Sequence, residues 1–399
     1  MKQMKRKHCR YGNFSPKRFF AAGLALLMIG FAFLTALPIS AEPLDVEGLS
    51  FDCKSVLLME ASTGQVLFEQ NADEALPPAS VTKVMTLLLV MEAIEEGRLS
   101  LDDTITASAH AASMGGSQIF LKEGEQMRAE DMIKSVVIAS ANDAALALAE
   151  HLAGSEEAFV AQMNERASEL GMTNTHFENT NGLDDTVERH LTSARDIALM
   201  SRALIRHEKI SEYASIWQDT IRDGEFGLTN TNRLVRFYRG ATGLKTGSTA
   251  KAGFCISATA KRDGMTLICV IMGAPSRDIR NAAATSLLDW GFANHALYTH
   301  EENDLTPLRV RGGVRESCSL SAPSFSAVVP RSKKETVEVK IELSETVDAP
   351  VEKGMEVGKI TYYLGENELG SVPIIAGESV SRVGFWGIMA RFLGVMSLT

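Results

Sequence analysis

The sequence predicts an α+β protein. A mixed domain of helices and antiparallel sheet runs over 42–296, a small all-β sandwich domain over 297–379, and an amphipathic helix over 380–399. Three observations lead there. At 399 residues the chain exceeds what one ordinary core accommodates. Between Ser55 and Asn294, hairpin signals stand at both ends and helical patterns fill the middle, which suggests one sheet assembled from both chain ends. Beyond Asn294 helical periodicity fades, and short β-prone runs alternate with turn residues.

Residues 1–41 read as an export signal. Lys2, Lys5, Arg6, Lys7, Arg10, Lys17 and Arg18 precede an apolar run from Phe19 to Leu37, which Pro38 breaks. Small Ser40 and Ala41 then precede acidic Glu42, the layout of a cleavage site near Ala41. The run is also long enough to cross a bilayer as an uncleaved anchor. Either way the body is expected outside the cytoplasm, in the cell-wall space or at the outer face of the cytoplasmic membrane. The formal net charge of −10 includes those seven cations, so the remainder is more acidic still. Such a body is repelled by a phosphate backbone, which excludes nucleic acid as a partner. Cys53, Cys255, Cys269 and Cys318 lack the close pairing of a metal site and read as small buried hydrophobes, with a disulfide left open.

Ser55–Glu60 and Gln65–Glu69 flank Ala-Ser-Thr-Gly as a hairpin. After Pro77-Pro78, Ser80–Glu96 is apolar on nearly all faces and stops at Gly97, the pattern of a helix inside a core. Helices follow over Ala129–Ala139, Asp143–Leu152, Glu156–Leu170 and Ser193–Arg206, the last with Thr192 as N-cap. Phe254–Ala260 and Thr266–Met272 form a second hairpin, and a helix over Arg280–Trp290 ends at Gly291. The β-rich part has runs at Leu308–Val310, Val337–Leu343, Ile360–Leu364 and Val372–Ile375. From Val383 onward, Phe385, Trp386, Ile388, Met389, Phe392, Leu393, Val395 and Met396 share one helical face, and no acidic residue follows Glu378. That composition suits the membrane interface; the alternative is a terminal helix docked on its own domain.

Three short motifs carry chemistry in order: Ser80-Val-Thr-Lys83, Ser140-Ala-Asn142 and Lys245-Thr-Gly247. Residues three apart on a helix share a face, so Lys83 can reach the Ser80 hydroxyl. A serine is a weak nucleophile until a base takes its proton, and a lysine serves as base only when burial and a second cation lower its pKa. The apolar helix supplies burial, Lys245 is the second cation, and the helix N-terminus adds partial positive charge near Ser80. Ser248-Thr-Ala-Lys251 repeats the first pattern, but it lies in the turn after Lys-Thr-Gly.

The ordered triplet is shared by penicillin-binding proteins and class A β-lactamases. With Pro78-Ala-Ser-Val-Thr-Lys-Val-Met-Thr, Asn181-Gly-Leu, His190-Leu-Thr-Ser-Ala-Arg-Asp, Gly243-Leu-Lys-Thr-Gly and Leu288-Asp-Trp-Gly-Phe, the chain resembles the low-molecular-mass penicillin-binding proteins, serine-type D-alanyl-D-alanine carboxypeptidases, from about Cys53 to its end. The resemblance implies a penicillin-binding, β-lactamase-like transpeptidase fold for the first domain. It implies removal of the terminal D-alanine from peptidoglycan stem peptides through an acyl-enzyme on Ser80, and acylation by β-lactam antibiotics. Lys83 would be the base and Ser140 the proton relay to the leaving D-alanine. Asn142 would hold the substrate amide, and Lys245, Thr246 and Arg280 would bind its carboxylate. The backbone N–H groups of Ser80 and Ser248 would form the oxyanion hole, with Gly247 leaving room for the substrate backbone. No metal and no organic cofactor is required. Membrane contact would be made through the terminal helix.

Two positions depart from relatives: Ala141 stands where class A β-lactamases carry Asp, and Ser248 where some relatives carry His. A β-lactamase, with Glu178 as activating carboxylate, is the nearest rival, although Glu178 reads as a surface residue. An endopeptidase that cuts cross-links and a catalytically silent wall-binding protein are the others.

Overall fold

A computed structural model describes residues 49–185, 187–302 and 304–389. The export signal expected over 1–41 and the last ten residues of the expected terminal helix lie outside them.

Five strands make the central sheet: β1 (Ser55–Glu60), β2 (Val66–Gln70), β3 (Ala241–Thr249), β4 (Gly253–Arg262) and β5 (Met265–Ala274), in the order β2-β1-β5-β4-β3. All neighbours are antiparallel, and β1 pairs with β5 in the register Ser55↔Met272 to Glu60↔Leu267. The sheet is thus assembled from both ends of the domain, as the hairpin signals suggest. Alternate side chains point to opposite faces. Leu57, Ile268 and Val270 enter a core shared with the helices, while Val56, Leu58, Leu267 and Cys269 face the opposite side. Both faces are covered, which is why these strands read as continuous apolar runs rather than alternating ones.

Helix α1 (Lys83–Glu95) runs through the middle of the helical layer, with α2 (Ala129–Ile138), α3 (Asn142–Ala153), α4 (Glu156–Glu169) and α5 (Ala194–Leu204) around it. The N-cap of α5 is Ser193, whose side chain accepts from Asp196 N–H; Thr192 is not the cap. Helix α6 (Arg277–Asn294) covers the other face and starts a turn earlier than the periodicity suggests, capped by Ser276. Gly291 does not end it. A Cβ there would lie 2.7 Å from both Leu58 and Leu267, so the glycine marks a close approach of helix to sheet.

Beyond α6, His295–His300 pairs with Phe325–Pro330. A three-stranded sheet joins Ser317–Cys318, Leu308–Arg311 and Thr346–Asp348. A four-stranded one joins Leu320–Ser321, Asn367–Ala376, Glu356–Leu364 and Val337–Leu343. Each has a small core, one around Val310, Cys318, Val351 and Val380, the other around Ile360, Tyr362 and Ile374. Val380 and Arg382 lie in β-bridges to Val351 and Gly313, so the helical turn at 385–389 begins after them. No helix among the described residues is long and apolar enough to cross a membrane. Cys53, Cys255, Cys269 and Cys318 are free thiols, and all but the half-buried Cys53 are buried.

Candidate active site

Ser80 lies in a 3-10 turn, Ala79–Thr82, that feeds α1. An α-helix starting at Ser80 is the sequence expectation. The tighter turn differs in a useful way, because side chains at i and i+3 eclipse one another. Lys83 Nζ accordingly sits 3.0 Å from Ser80 Oγ, wholly buried. It donates to Asn142 Oδ1 at 2.5 Å and to the Asn181 carbonyl at 3.0 Å.

Asn142 opens α3 and is itself fixed: its Nδ2 donates to Gly115 O at 2.6 Å and its backbone N–H to Ser117 O at 2.7 Å. The next residue, Asp143, accepts from Ile119 and Leu121 N–H and ties the same loop to α3. Ser140 stands between α2 and α3 at φ +63, a left-handed conformation that non-glycine residues seldom adopt. Its hydroxyl accepts from Lys245 Nζ at 2.8 Å, and Lys245 donates again to the Thr246 carbonyl. Ser80, Lys83, Ser140, Asn142 and Lys245 therefore converge from the turn before α1, α1 itself, the loop before α3, α3 and β3.

Gly247 faces the nucleophile turn rather than empty space. A Cβ there would lie 2.6 Å from Ser80 N and 2.9 Å from Pro78 O. The missing side chain lets β3 press against the turn, a different reason from the substrate clearance expected from sequence. Beside it opens a cleft of about 150 Å³, lined by Ser80, Ser117, Ser140, Thr231, Thr246, Gly247, Ser248, Arg277 and Arg280. That lining holds no acidic side chain. Arg280 is buried, and three of its five N–H donors go to Cys255 O and Asn281 Oδ1; Thr246 Oγ1 donates to Thr231 Oγ1 at 2.8 Å.

Burial lowers the pKa of Lys83 well below the usual lysine range, and the charge of Lys245 lowers it further against the pull of Asp143. Burial and the nearby Arg280 bring Lys245 to about 7. Burial, with Arg277 and Arg233 nearby, takes Arg280 down to about 10. Burial and the charge of Lys245 thus both favour the neutral form of Lys83.

Four participants escape sequence reasoning as site residues. The Asn181 carbonyl is backbone, and no side-chain pattern announces it. Ser117 and Thr231 arrive on loops. Arg277 stands one turn before Arg280, a spacing that could have flagged it. The second Ser-x-x-Lys pattern is not helical: Ser248 sits near the end of β3, and Lys251 is an exposed side chain donating to Val187 O. Glu178 does not line the cleft; its carboxylate accepts from Arg189 N–H.

Comparison with known proteins agrees over most of the chain. The family model described as D-alanyl-D-alanine carboxypeptidase matches residues 41–276. The chain belongs to that family. A second model, the penicillin-binding protein 5 C-terminal domain, matches residues 295–382. D-alanyl-D-alanine carboxypeptidase DacF of Bacillus subtilis is 39% identical over 382 residues, 93% of this chain and 97% of the relative. Among solved structures, penicillin-binding protein 5 from Haemophilus influenzae superposes with a TM-score of 0.74 at 30% identity, over 84% of this chain and all of that one. Penicillin-binding protein D2 from Listeria monocytogenes, in its ampicillin-bound form, covers 61% of this carboxypeptidase-family chain and 99% of its own at 31% identity and a TM-score of 0.57.

Proposed function

We propose that this chain removes the terminal D-alanine from peptidoglycan stem peptides through an acyl-enzyme on Ser80, and that β-lactams acylate the same serine. The observation that carries the reading is the coordination of Lys83. A neutral amine has two hydrogens and one lone pair. Asn142 Oδ1 and the Asn181 carbonyl accept the two hydrogens, which leaves the lone pair for the Ser80 hydroxyl at 3.0 Å.

Lys83 takes the Ser80 proton as Oγ bonds to the carbonyl carbon between the two D-alanines. The oxygen of the tetrahedral intermediate is met by the N–H groups of Ser80 and Ser248, each such donor worth about 3 kcal/mol in other hydrolases. The C–N bond then breaks, and the departing amine receives a proton through Ser140, which Lys245 holds at 2.8 Å. Lys245, Thr246 and Arg280 attract the terminal carboxylate into a lining without acids. Asn142 keeps Lys83 in place and holds the substrate amide. Water, activated in the same way, cleaves the acyl-enzyme and releases the shortened peptide.

D-alanine release from a pentapeptide, beside a Ser80→Ala control, tests this reading together with the mass of the protein after brief exposure to penicillin. Release abolished by Ser80→Ala, and one adduct on the Ser80 peptide, are the expected results. No release by the wild type overturns the enzyme; rapid turnover of penicillin would turn it into a β-lactamase.

The same reading makes 1–41 an export signal removed near Ala41, 42–296 the catalytic domain and 297–379 the β-rich domain, with the body at the outer face of the cytoplasmic membrane. The terminal segment would rest in that interface. Phe385 is 68% and Trp386 81% exposed, and Ile388 and Met389 are exposed beside them. Truncation after Val383 should move the protein from the membrane to the soluble fraction; unchanged fractionation refutes the anchor.

A further inference from the structure

The turn that carries Ser80 is held from behind by a buried chain of hydrogen bonds. Glu178 N–H donates to His190 Nδ1 at 2.9 Å, His190 Nε2 lies 2.7 Å from Thr82 Oγ1, and Thr82 Oγ1 donates to the Ala79 carbonyl at 2.9 Å. The first link fixes the direction of the others. Because Nδ1 accepts, the hydrogen of the neutral ring sits on Nε2 and points at Thr82. The threonine hydroxyl accepts from the ring and has its own hydrogen for Ala79. His190 and Thr82 are buried, and burial, against the charge of Glu178, pushes the His190 pKa down to about 4, so the ring is neutral at ordinary pH.

The Ala79 oxygen is hemmed in further by Gly182, at φ +83, where a Cβ would fall 1.8 Å from it. Ala79 itself has φ +49, a conformation that alanine avoids unless its surroundings impose it. A peptide unit is flat and trans, so its C=O and N–H point in opposite directions. The unit that presents the Ala79 oxygen to Thr82 is the one that presents the Ser80 N–H on its other side, where Gly247 of β3 leaves a gap that a Cβ would fill 2.6 Å from the nitrogen.

We propose that His190 and Thr82 are positioning residues: by clamping the Ala79 carbonyl they aim the Ser80 N–H at the developing oxyanion. This rests on Ser80 being the nucleophile. The pair touches neither substrate nor the reacting oxygen, and its effect belongs to the tetrahedral state, where the oxygen carries charge.

The full chain carrying Thr82→Val, Thr82→Ser or His190→Phe tests it. Three quantities are measured for each: acylation rate by a fluorescent penicillin, affinity for a peptide boronic acid that forms a tetrahedral anion on Ser80, and affinity for the product peptide. Thr82→Val should acylate roughly 10- to 100-fold more slowly and lose boronate affinity by a similar factor, with product affinity held within about twofold. Thr82→Ser should restore both. His190→Phe, which fills the space without a donor, should reproduce the selective loss and stands in if Thr82→Val does not fold. A folded Thr82→Val that acylates at the wild-type rate overturns the proposal, as does an equal loss of boronate and product affinity. The penicillin adduct on wild-type Ser80 is the separate check: its absence removes the nucleophile and the clamp together, whereas its presence with an unaffected Thr82→Val removes the clamp alone.

Discussion

In the central sheet β1 is buried along its whole length and β4 and β5 along most of theirs, whereas the strand Val337–Leu343 of the β-rich region is exposed through its middle. The catalytic part encloses Lys83, Lys245, Arg280 and Asn142, each at most 3% exposed; among the described residues, the buried polar side chains of the β-rich part reduce to Thr361. Burying cations works against stability, and a thick apolar surround must hold them in place. The β-rich part carries no such load and needs only two thin cores. Precision and burial go together here: groups that must meet within hydrogen-bond reach sit where the packing is deepest.

The contrast is broken most directly at Lys83. Replacing it with methionine should lower D-alanine release by roughly 10³-fold or more while raising the melting temperature. The sign follows from linkage. The folded pKa of Lys83 is lowered, so between that value and the unfolded value of about 10.4 the unfolded chain holds a proton that the folded one lacks. The penalty is complete below the folded pKa and disappears as pH rises to the unfolded one. The advantage of Lys83→Met in melting temperature should therefore narrow toward about pH 10; a variant less stable at neutral pH would contradict the account.

Gly247→Ala comes next. Its methyl would press on the Ser80 amide at 2.6 Å, and acylation by penicillin should slow by about 10²-fold, with a stability loss of about 1–3 kcal/mol. Wild-type acylation by that variant would show that β3 can retreat without disturbing the turn. The pH profile is a finer probe. On the proposed mechanism activity needs Lys83 neutral and Lys245 charged, so kcat/KM should fall as pH drops through the lowered pKa of Lys83 and should fall again above about pH 7 as Lys245 loses its proton. Lys245→Arg should carry the alkaline limb upward; a limb that stays put assigns it to another group. Smallest are the effects in the β-rich part. Ile360→Ala should cost that region about 2–4 kcal/mol, and Ile341→Thr on the exposed edge less than about 0.5 kcal/mol, both with acylation unchanged. A change in acylation from either would mean that the two parts are coupled.

Much of this is legible in the residues themselves. The convergence of Lys83, Ser140, Asn142 and Lys245 follows from motifs because it is their side chains that meet. The strand over Val337–Leu343 follows from its β-prone run, and the hairpins from their turns. What escapes depends on backbone rather than side chain. The Asn181 carbonyl, the 3-10 winding at Ser80 and the positive φ of Ala79 and Ser140 are set by neighbours distant in sequence. Gly291 reads as a stop because glycine ends helices in general, yet here it serves a contact with Leu58 and Leu267, which no local pattern encodes.

The pairing of β1 with β5 has a kinetic consequence. Its partners stand roughly 200 residues apart, so the centre of the sheet cannot close until nearly the whole domain has been synthesised. Ser80 is made early but can be armed only late: a chain interrupted before β5 would hold the Ser80, Ser140 and Lys245 motifs yet lack Arg280 and the strand that joins β1 to β4, so the proposed nucleophile would wait for its scaffold.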